Sequence, residues 1–241
     1  LWDDDDIPAL AKMTEAVHEH GSLAGIELQH GGYCSTNHYS RIPPISPSPI
    51  SVGSYAPIQA RAMDKSDIRN FRKWHRQAAL RSKQAGFDIV YVYAAHSGTL
   101  LTHFLSRRIN RRTDEYGGSL ENRVRLFREL IEDTKDAVGD SCAVAVRFCV
   151  EEFLGSQGIT SENEGKEIIE MLAELPDLWD VNISNWSMDS ATSRFESEGY
   201  QEPYMAFVKS MTSKPVVGVG RFTSPDTMLS LIQRGVMDMI G

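Results

Sequence analysis

Six short apolar runs, each separated from the next by an amphipathic helical stretch, restrict this 241-residue chain more than any other feature. The runs cover residues 23–29, 87–95, 143–150, 179–184, 215–220 and 237–240. Their β-branched and aromatic content and their length mark them as buried strands. The stretches between them have helical spacing and recognisable ends. Leu10, Met13 and Val17 form one stripe of residues 8–20, with Gly21 as a stop. Ser66 is placed to cap a helix over 67–85 that carries Ile68, Phe71, Ala78 and Ala79 inward. Ser119 is placed to cap a helix running to Val138, closed by Gly139. Ser161 with Glu164 reads as a capping box for 161–175. Residues 203–211 follow, and Ser224-Pro225 opens a last helix to about Arg234.

Strict alternation of this kind implies a parallel sheet with right-handed crossovers. An open doubly wound sheet and a (β/α)8 TIM barrel both fit. The long loops follow strands rather than helices, which favours a barrel with its site at the carboxyl ends of the strands. Eight units are required and six are found. The expectation is therefore one α/β domain over residues 1–241, an incomplete barrel lacking its first and last portions, with no second domain in this segment. Residues 33–65, rich in Pro and Ser, read as one long loop of the kind that is either disordered or functional.

Composition narrows the partners. With 41% hydrophobic residues there is ample material for a core, and a formal net charge of −8 disfavours nucleic acid. The basic cluster Arg107–Arg112 is short and answered by nearby acids. Cys34, Cys142 and Cys149 show neither a disulfide framework nor metal-ligand spacing, which points to a reducing, cytoplasmic compartment and to no metal site. No apolar run approaches the ~18 residues of a membrane span, and the acidic start is not a signal peptide.

Chemistry is suggested by six places. Tyr93 and His96 stand three apart where the second strand gives way to loop; a core strand with a polar tip is the equal alternative. Glu27 and Gln29 are polar tips of a strand that runs into the paired glycines Gly31-Gly32, a pattern that a plain tight turn also explains. Residues 112–123, from Arg112 through Gly117-Gly118 to Arg123, read by themselves as a polar turn into a capped helix. Arg147 is the lone charge of an apolar strand, which favours an anionic ligand over a structural ion pair. Gly218-Val219-Gly220-Arg221, ahead of a helix start, makes a candidate phosphate site. In the loop after residue 184, Trp186 offers a face to a cation and Asp189 a carboxylate to a histidine, though a loop tryptophan packed on its neighbours is equally common.

Taken together these residues resemble the flavin-dependent Old Yellow Enzyme superfamily. They are most similar to the branch holding trimethylamine, dimethylamine and histamine dehydrogenases and the demethylases of N-methylated amino acids. Residues 112–123 look like the superfamily signature, and Tyr-x-x-His after the strand looks like that of the amine branch. The resemblance implies FMN above a barrel. Arg147 would face its pyrimidine edge, Glu27 would fall at a flavin-contacting position, and Gly218, Gly220 and Arg221 would hold its phosphate. It also implies a linked Tyr93, His96 and Asp189 as the catalytic set, and Trp186 as a wall receiving the substrate ammonium. A 4Fe-4S centre and an FAD or second nucleotide site would belong to a C-terminal part outside this sequence.

The activity this resemblance implies is that of a flavin-dependent amine dehydrogenase or oxidative N-demethylase, with hydride transfer from an N-methylated amine to FMN and hydrolysis of the iminium to an aldehyde. The expected partners are an electron-transfer flavoprotein or NAD(P)H, and a homo-oligomeric full-length form is expected. An NAD(P)H-dependent ene-reductase of the 2,4-dienoyl-CoA reductase kind and a non-redox phosphate-binding barrel are the alternatives.

Overall fold

The computed structural model describes residues 1–35, 42–52, 58–184 and 195–241. After helix α1 (Ile7–His18) come strand β1 (Gly25–Leu28) and three short strands, β2 (Ile45–Ser46), β3 (Ile50–Val52) and β4 (Ile58–Ala62). Helix α2 (Lys65–Gln84), strand β5 (Ile89–Ala94), helices α3 (Leu100–Leu105) and α4 (Leu120–Val138), and strand β6 (Ala143–Glu151) follow. The chain continues through α5 (Glu164–Leu172), β7 (Leu178–Ile183), α6 (Glu202–Met205), α7 (Val208–Met211), β8 (Val216–Gly218), α8 (Pro225–Gln233) and β9 (Met239–Ile240).

The main sheet has the order β1-β5-β6-β7-β8-β9, and every neighbouring pair is parallel. Strand order equals chain order, as it must when each crossover returns the chain one strand further along. Alternation of side chains splits the sheet into two faces. Val90, Val92 and Ala94, with Val144, Val146, Phe148, Trp179, Val181 and Ile183, join the helices in one core. Leu126, Phe127, Leu130 and Ile131 of α4 and Ile168, Ile169 and Leu172 of α5 cover them. The intervening residues point the other way, and there the sheet is polar.

Several local expectations are corrected by competing bonds. Asp64, not Ser66, caps α2, through a reciprocal box with Asp67. Ser161 and Glu164 form no capping box: Ser161 donates from its N–H to Glu151, 3.0 Å away, and Glu164 is buried in an ion pair with Arg123. The long loop is partly structured, since β4 pairs with both β2 and β3. The helix over 203–211 is two single turns, and α3 was not anticipated because its six residues are buried on all sides rather than in a stripe.

Residues 112–123 prove to be a fastening. Arg112 donates to the carbonyls of Pro47 and Met63 and to Asp114, tying the three-stranded sheet to the barrel. Asn110 bonds the Phe104 and Tyr116 carbonyls at 2.7 Å each. Arg123, 2% exposed, meets Glu164 and the Leu105 carbonyl.

One regularity marks the functional end. Every described non-glycine residue with positive φ lies just past the carboxyl end of β5, β6, β7 or β8: His96 at 58°, Ser97 at 53°, Phe153 at 55°, Ser184 at 78° and Arg221 at 56°. Left-handed backbone costs a side-chain-bearing residue about 1–3 kcal/mol and concentrates at functional sites. Helix-to-strand turns at the opposite end use glycine instead, as at Gly86 after α2. No helix among the described residues is long and apolar enough to cross a membrane.

Candidate active site

The polar face of the sheet is assembled from alternate positions of four strands. Glu27 comes from β1, Tyr91 and Tyr93 from β5, Arg147 and Cys149 from β6, and Asp180 and Asn182 from β7. Register brings Tyr93, Arg147 and Asp180 side by side in one row.

Arg147 is the centre of that row. Its Nη1 donates to Glu27 Oε1 at 2.7 Å, and its Nε stands 3.7 Å from Asp180 Oδ2. The guanidinium carbon lies 5.9 Å from the centroid of the Tyr93 ring. The lone charge of the apolar strand is thus in ionic contact with two carboxylates, and its Nε–H is still buried without a hydrogen-bond partner among the described residues. Burial raises the Asp180 carboxyl to about 6, against the pull of Arg147. Burial also pushes the Tyr93 phenol up to about 12, so it is a neutral, protonated group at physiological pH.

Past the end of β5, the Tyr93 hydroxyl hydrogen-bonds His96 Nδ1. The left-handed pair His96-Ser97 bends the chain so that the imidazole turns back over the sheet. Glu152 holds the bend: its Oε1 accepts from Ser97 Oγ at 2.5 Å and its Oε2 from the Ile159 N–H at 2.8 Å. On the other ring edge, His96 Nε2 lies 2.9 Å from Asn182 Nδ2. Both side chains are buried.

Tyr93, His96, Arg147 and Glu27 are therefore gathered on one face. Trp186 and Asp189 lie outside the described residues. Gly218, Gly220 and Arg221 stand at the end of β8. Gly218 has a packing reason of its own, because a Cβ there would meet Met237 at 2.7 Å. A Cβ on Gly220 would lie 3.0 Å from Phe222 and 3.3 Å from Gly199, so backbones approach closely at that strand end. Arg221 is exposed and donates to the Glu196 carbonyl. Among the described residues no cluster of His, Cys, Asp or Glu could hold a metal ion.

Sequence reasoning missed Asp180, Asn182 and Glu152. The first two had a signal: they are the polar residues at alternate positions of an otherwise apolar strand, which places both on one face. Glu152 had none, since its role depends on a loop folding back to Ser97.

The residues present suit a flavin. Arg147 Nε is a buried donor without a partner among the described residues on the polar face, and closely packed backbone beside the exposed Arg221 lies at the end of β8. A family model described as NADH:flavin oxidoreductase / NADH oxidase family matches residues 1–241. The dimethylamine dehydrogenase of Hyphomicrobium sp. (strain x) is 36% identical over 252 residues, covering 100% of this chain and 34% of that protein. The solved structure of 6-hydroxypseudooxynicotine amine oxidase from Pseudomonas geniculata N1 is similar with a TM-score of 0.95 and 56% identity, covering 100% of this chain and 36% of that one. For histamine dehydrogenase from Rhizobium sp. 4-9 the TM-score is 0.94 and the identity 49%, covering 100% and 35%. The chain spans about a third of the length of these relatives.

Proposed function

The chain belongs to the NADH:flavin oxidoreductase / NADH oxidase family, its six units being part of that family's (β/α)8 barrel, and we propose that it forms the FMN site of an amine dehydrogenase. The observation that carries this reading is the buried Tyr93–His96–Asn182 chain of hydrogen bonds at the strand ends beside Arg147. A proton relay next to a flavin is what oxidation of a basic amine needs, since the nitrogen must lose its proton before its neighbouring carbon can give up a hydride.

FMN, when bound, supplies the hydride acceptor, leaving a substrate iminium that water hydrolyses to an aldehyde and the smaller amine. The protein supplies the rest. Arg147 and Glu27 hold the pyrimidine edge, and Gly218, Gly220 and Arg221 the phosphate. Trp186 receives the ammonium group by cation–π contact, while Asp189 and Asn182 fix the imidazole. Tyr93 and His96 move the proton at the amine nitrogen. A small N-alkylated amine is the substrate class, with electrons leaving to an electron-transfer flavoprotein or NAD(P)H from the full-length, homo-oligomeric protein.

The neutral Tyr93 phenol also suits a second reading, an ene-reductase in which tyrosine donates a proton. Anaerobic mixing of the full-length protein with dimethylamine, N-methylated amino acids, histamine and NADH separates the two. Bleaching of the flavin by an amine is the expected result; bleaching by NADH alone favours the ene-reductase. A purified protein with no yellow chromophore overturns both and leaves a non-redox barrel.

A further inference from the structure

One carboxyl on the polar face has no task in the reading above. Asp180 is 7% exposed, its Oδ1 is buried without a hydrogen-bond partner among the described residues, and its Oδ2 is 3.7 Å from Arg147 Nε. The groups facing it are Arg147 from β6, Tyr91 and Tyr93 from β5, Glu27 from β1 and His96 beyond β5; its register partner on β8 is Val217, which brings no charge. A carboxylate placed only to neutralise a buried guanidinium would hydrogen-bond it, because an unsatisfied buried oxygen is costly. Here Glu27 makes that bond, at 2.7 Å, and Asp180 stands just beyond it. One guanidinium thus faces two carboxylates, and the group has net charge −1 with both ionised and zero when Asp180 carries a proton.

We propose that Asp180 is a positioning residue for charge: ionised, it offsets Arg147 and makes the flavin harder to reduce, and protonated, it leaves the guanidinium to stabilise the charge that reduction brings. The inference rests on the reading that Arg147 faces the flavin. Burial has already brought the Asp180 carboxyl to about 6, so its charge changes between pH 5 and 8.5. Added negative charge nearby raises its proton affinity further, and reduction is accompanied by uptake of a proton at this carboxyl.

The test is the two-electron midpoint potential of the flavin in the full-length holoenzyme from pH 5 to 8.5, which needs no substrate. Asp180→Asn is expected to be more positive than the wild type above pH 6 and to converge with it below. Arg147→Gln is expected to be more negative throughout. If Asp180→Asn superimposes on the wild type while Arg147→Gln shifts, the inference fails and the flavin placement stands. If neither moves, the placement fails with it. The unmodified holoenzyme gives a second decision should the Asn variant not fold. Its reduced-minus-oxidised infrared spectrum at pH 7 gains a protonated-carboxyl band, and the absence of that band overturns the inference.

Discussion

Asn182 Nδ2 lies 2.9 Å from Nε2 of His96, on the ring edge opposite Tyr93. A neutral imidazole has one N–H, so the bond that Asn182 makes at Nε2 helps to select what Tyr93 does at Nδ1. If the amide donates to Nε2, the proton sits on Nδ1 and the tyrosine oxygen accepts it. If the amide oxygen turns to Nε2, Tyr93 donates to Nδ1 instead. Asn182→Leu, which removes the selector, is expected to slow amine-driven flavin reduction by roughly tenfold, the effect of about 1.4 kcal/mol. Asn182→Asp places an anion on Nε2, favours the charged ring and moves the pH profile of reduction upward. Stopped-flow reduction with dimethylamine between pH 6 and 9 reads both; an Asp variant with the wild-type profile would remove Asn182 from the relay.

The bend that aims His96 is held from outside the strand. His96 and Ser97 are both left-handed, and the Ser97 hydroxyl is tied to Glu152 at 2.5 Å. A charge-assisted bond of this kind contributes about 1.5–3 kcal/mol. Glu152→Ala is expected to destabilise the protein by an amount in that range. A double-mutant cycle with Ser97→Ala should return the Ser97 share of it as coupling, the rest belonging to the bond from the Ile159 N–H. Additive losses in urea unfolding would mean that the two side chains do not act together.

Arg123 and Glu164 join α4 to α5 beneath the strand ends, with Arg107 donating to the same carboxylate. Breaking a buried pair leaves the other charge uncompensated, at a cost of about 3–5 kcal/mol. Glu164→Gln should therefore cost far more than Arg107→Gln, because the Arg107 side chain is 59% exposed and loses little by returning to water. Thermal unfolding midpoints of the two variants check the order, and equal midpoints would contradict it.

What the sequence shows and what it hides divides along range. Ser119 to Val138 was legible as a helix because cap, stripe and stop are all local, and all six strands of the barrel sheet were legible from their apolar runs. Ser161 and Glu164 imitated a capping box because the pattern is the same whether the partners lie three residues away or across the fold. Arg147 stands out in the sequence as a charge in an apolar run and reads there as a seat for an anionic ligand; the carboxylates it meets come from positions 27 and 180, and no local pattern joins them to it. The spacing of Tyr93 and His96 leaves a plain polar strand tip equally open and only the family resemblance implies that they are linked, while Asn182 enters only through the pairing of β5, β6 and β7.

Acid stability offers a prediction in which the signs oppose one another. His75 is buried, its Nε2 has no hydrogen-bond partner among the described residues, and burial lowers its pKa to about 4 against the pull of Asp133. Burial likewise lowers His103 to about 3. In the unfolded chain both take up protons near 6.5. Stability from these two is therefore complete above that value and is lost as pH falls toward 4 and 3, each with a limiting slope of about 1.4 kcal/mol per pH unit. Asp180 runs the other way: its folded value of about 6 exceeds the unfolded one, so the native state gains a proton as pH falls through 6. Between pH 6.5 and 5 the native protein should lose stability as pH falls, because His75, His103 and His30, which burial also lowers, together outweigh the one proton recovered at Asp180. His75→Leu, at a position that borders a cavity of about 350 Å³ and tolerates a change of shape, should flatten that slope. Asp180→Asn should steepen it. Urea midpoints across this range, above where ordinary carboxylates titrate, measure the three slopes; a His75→Leu protein as acid-sensitive as the wild type would show that the buried imidazole is not what titrates.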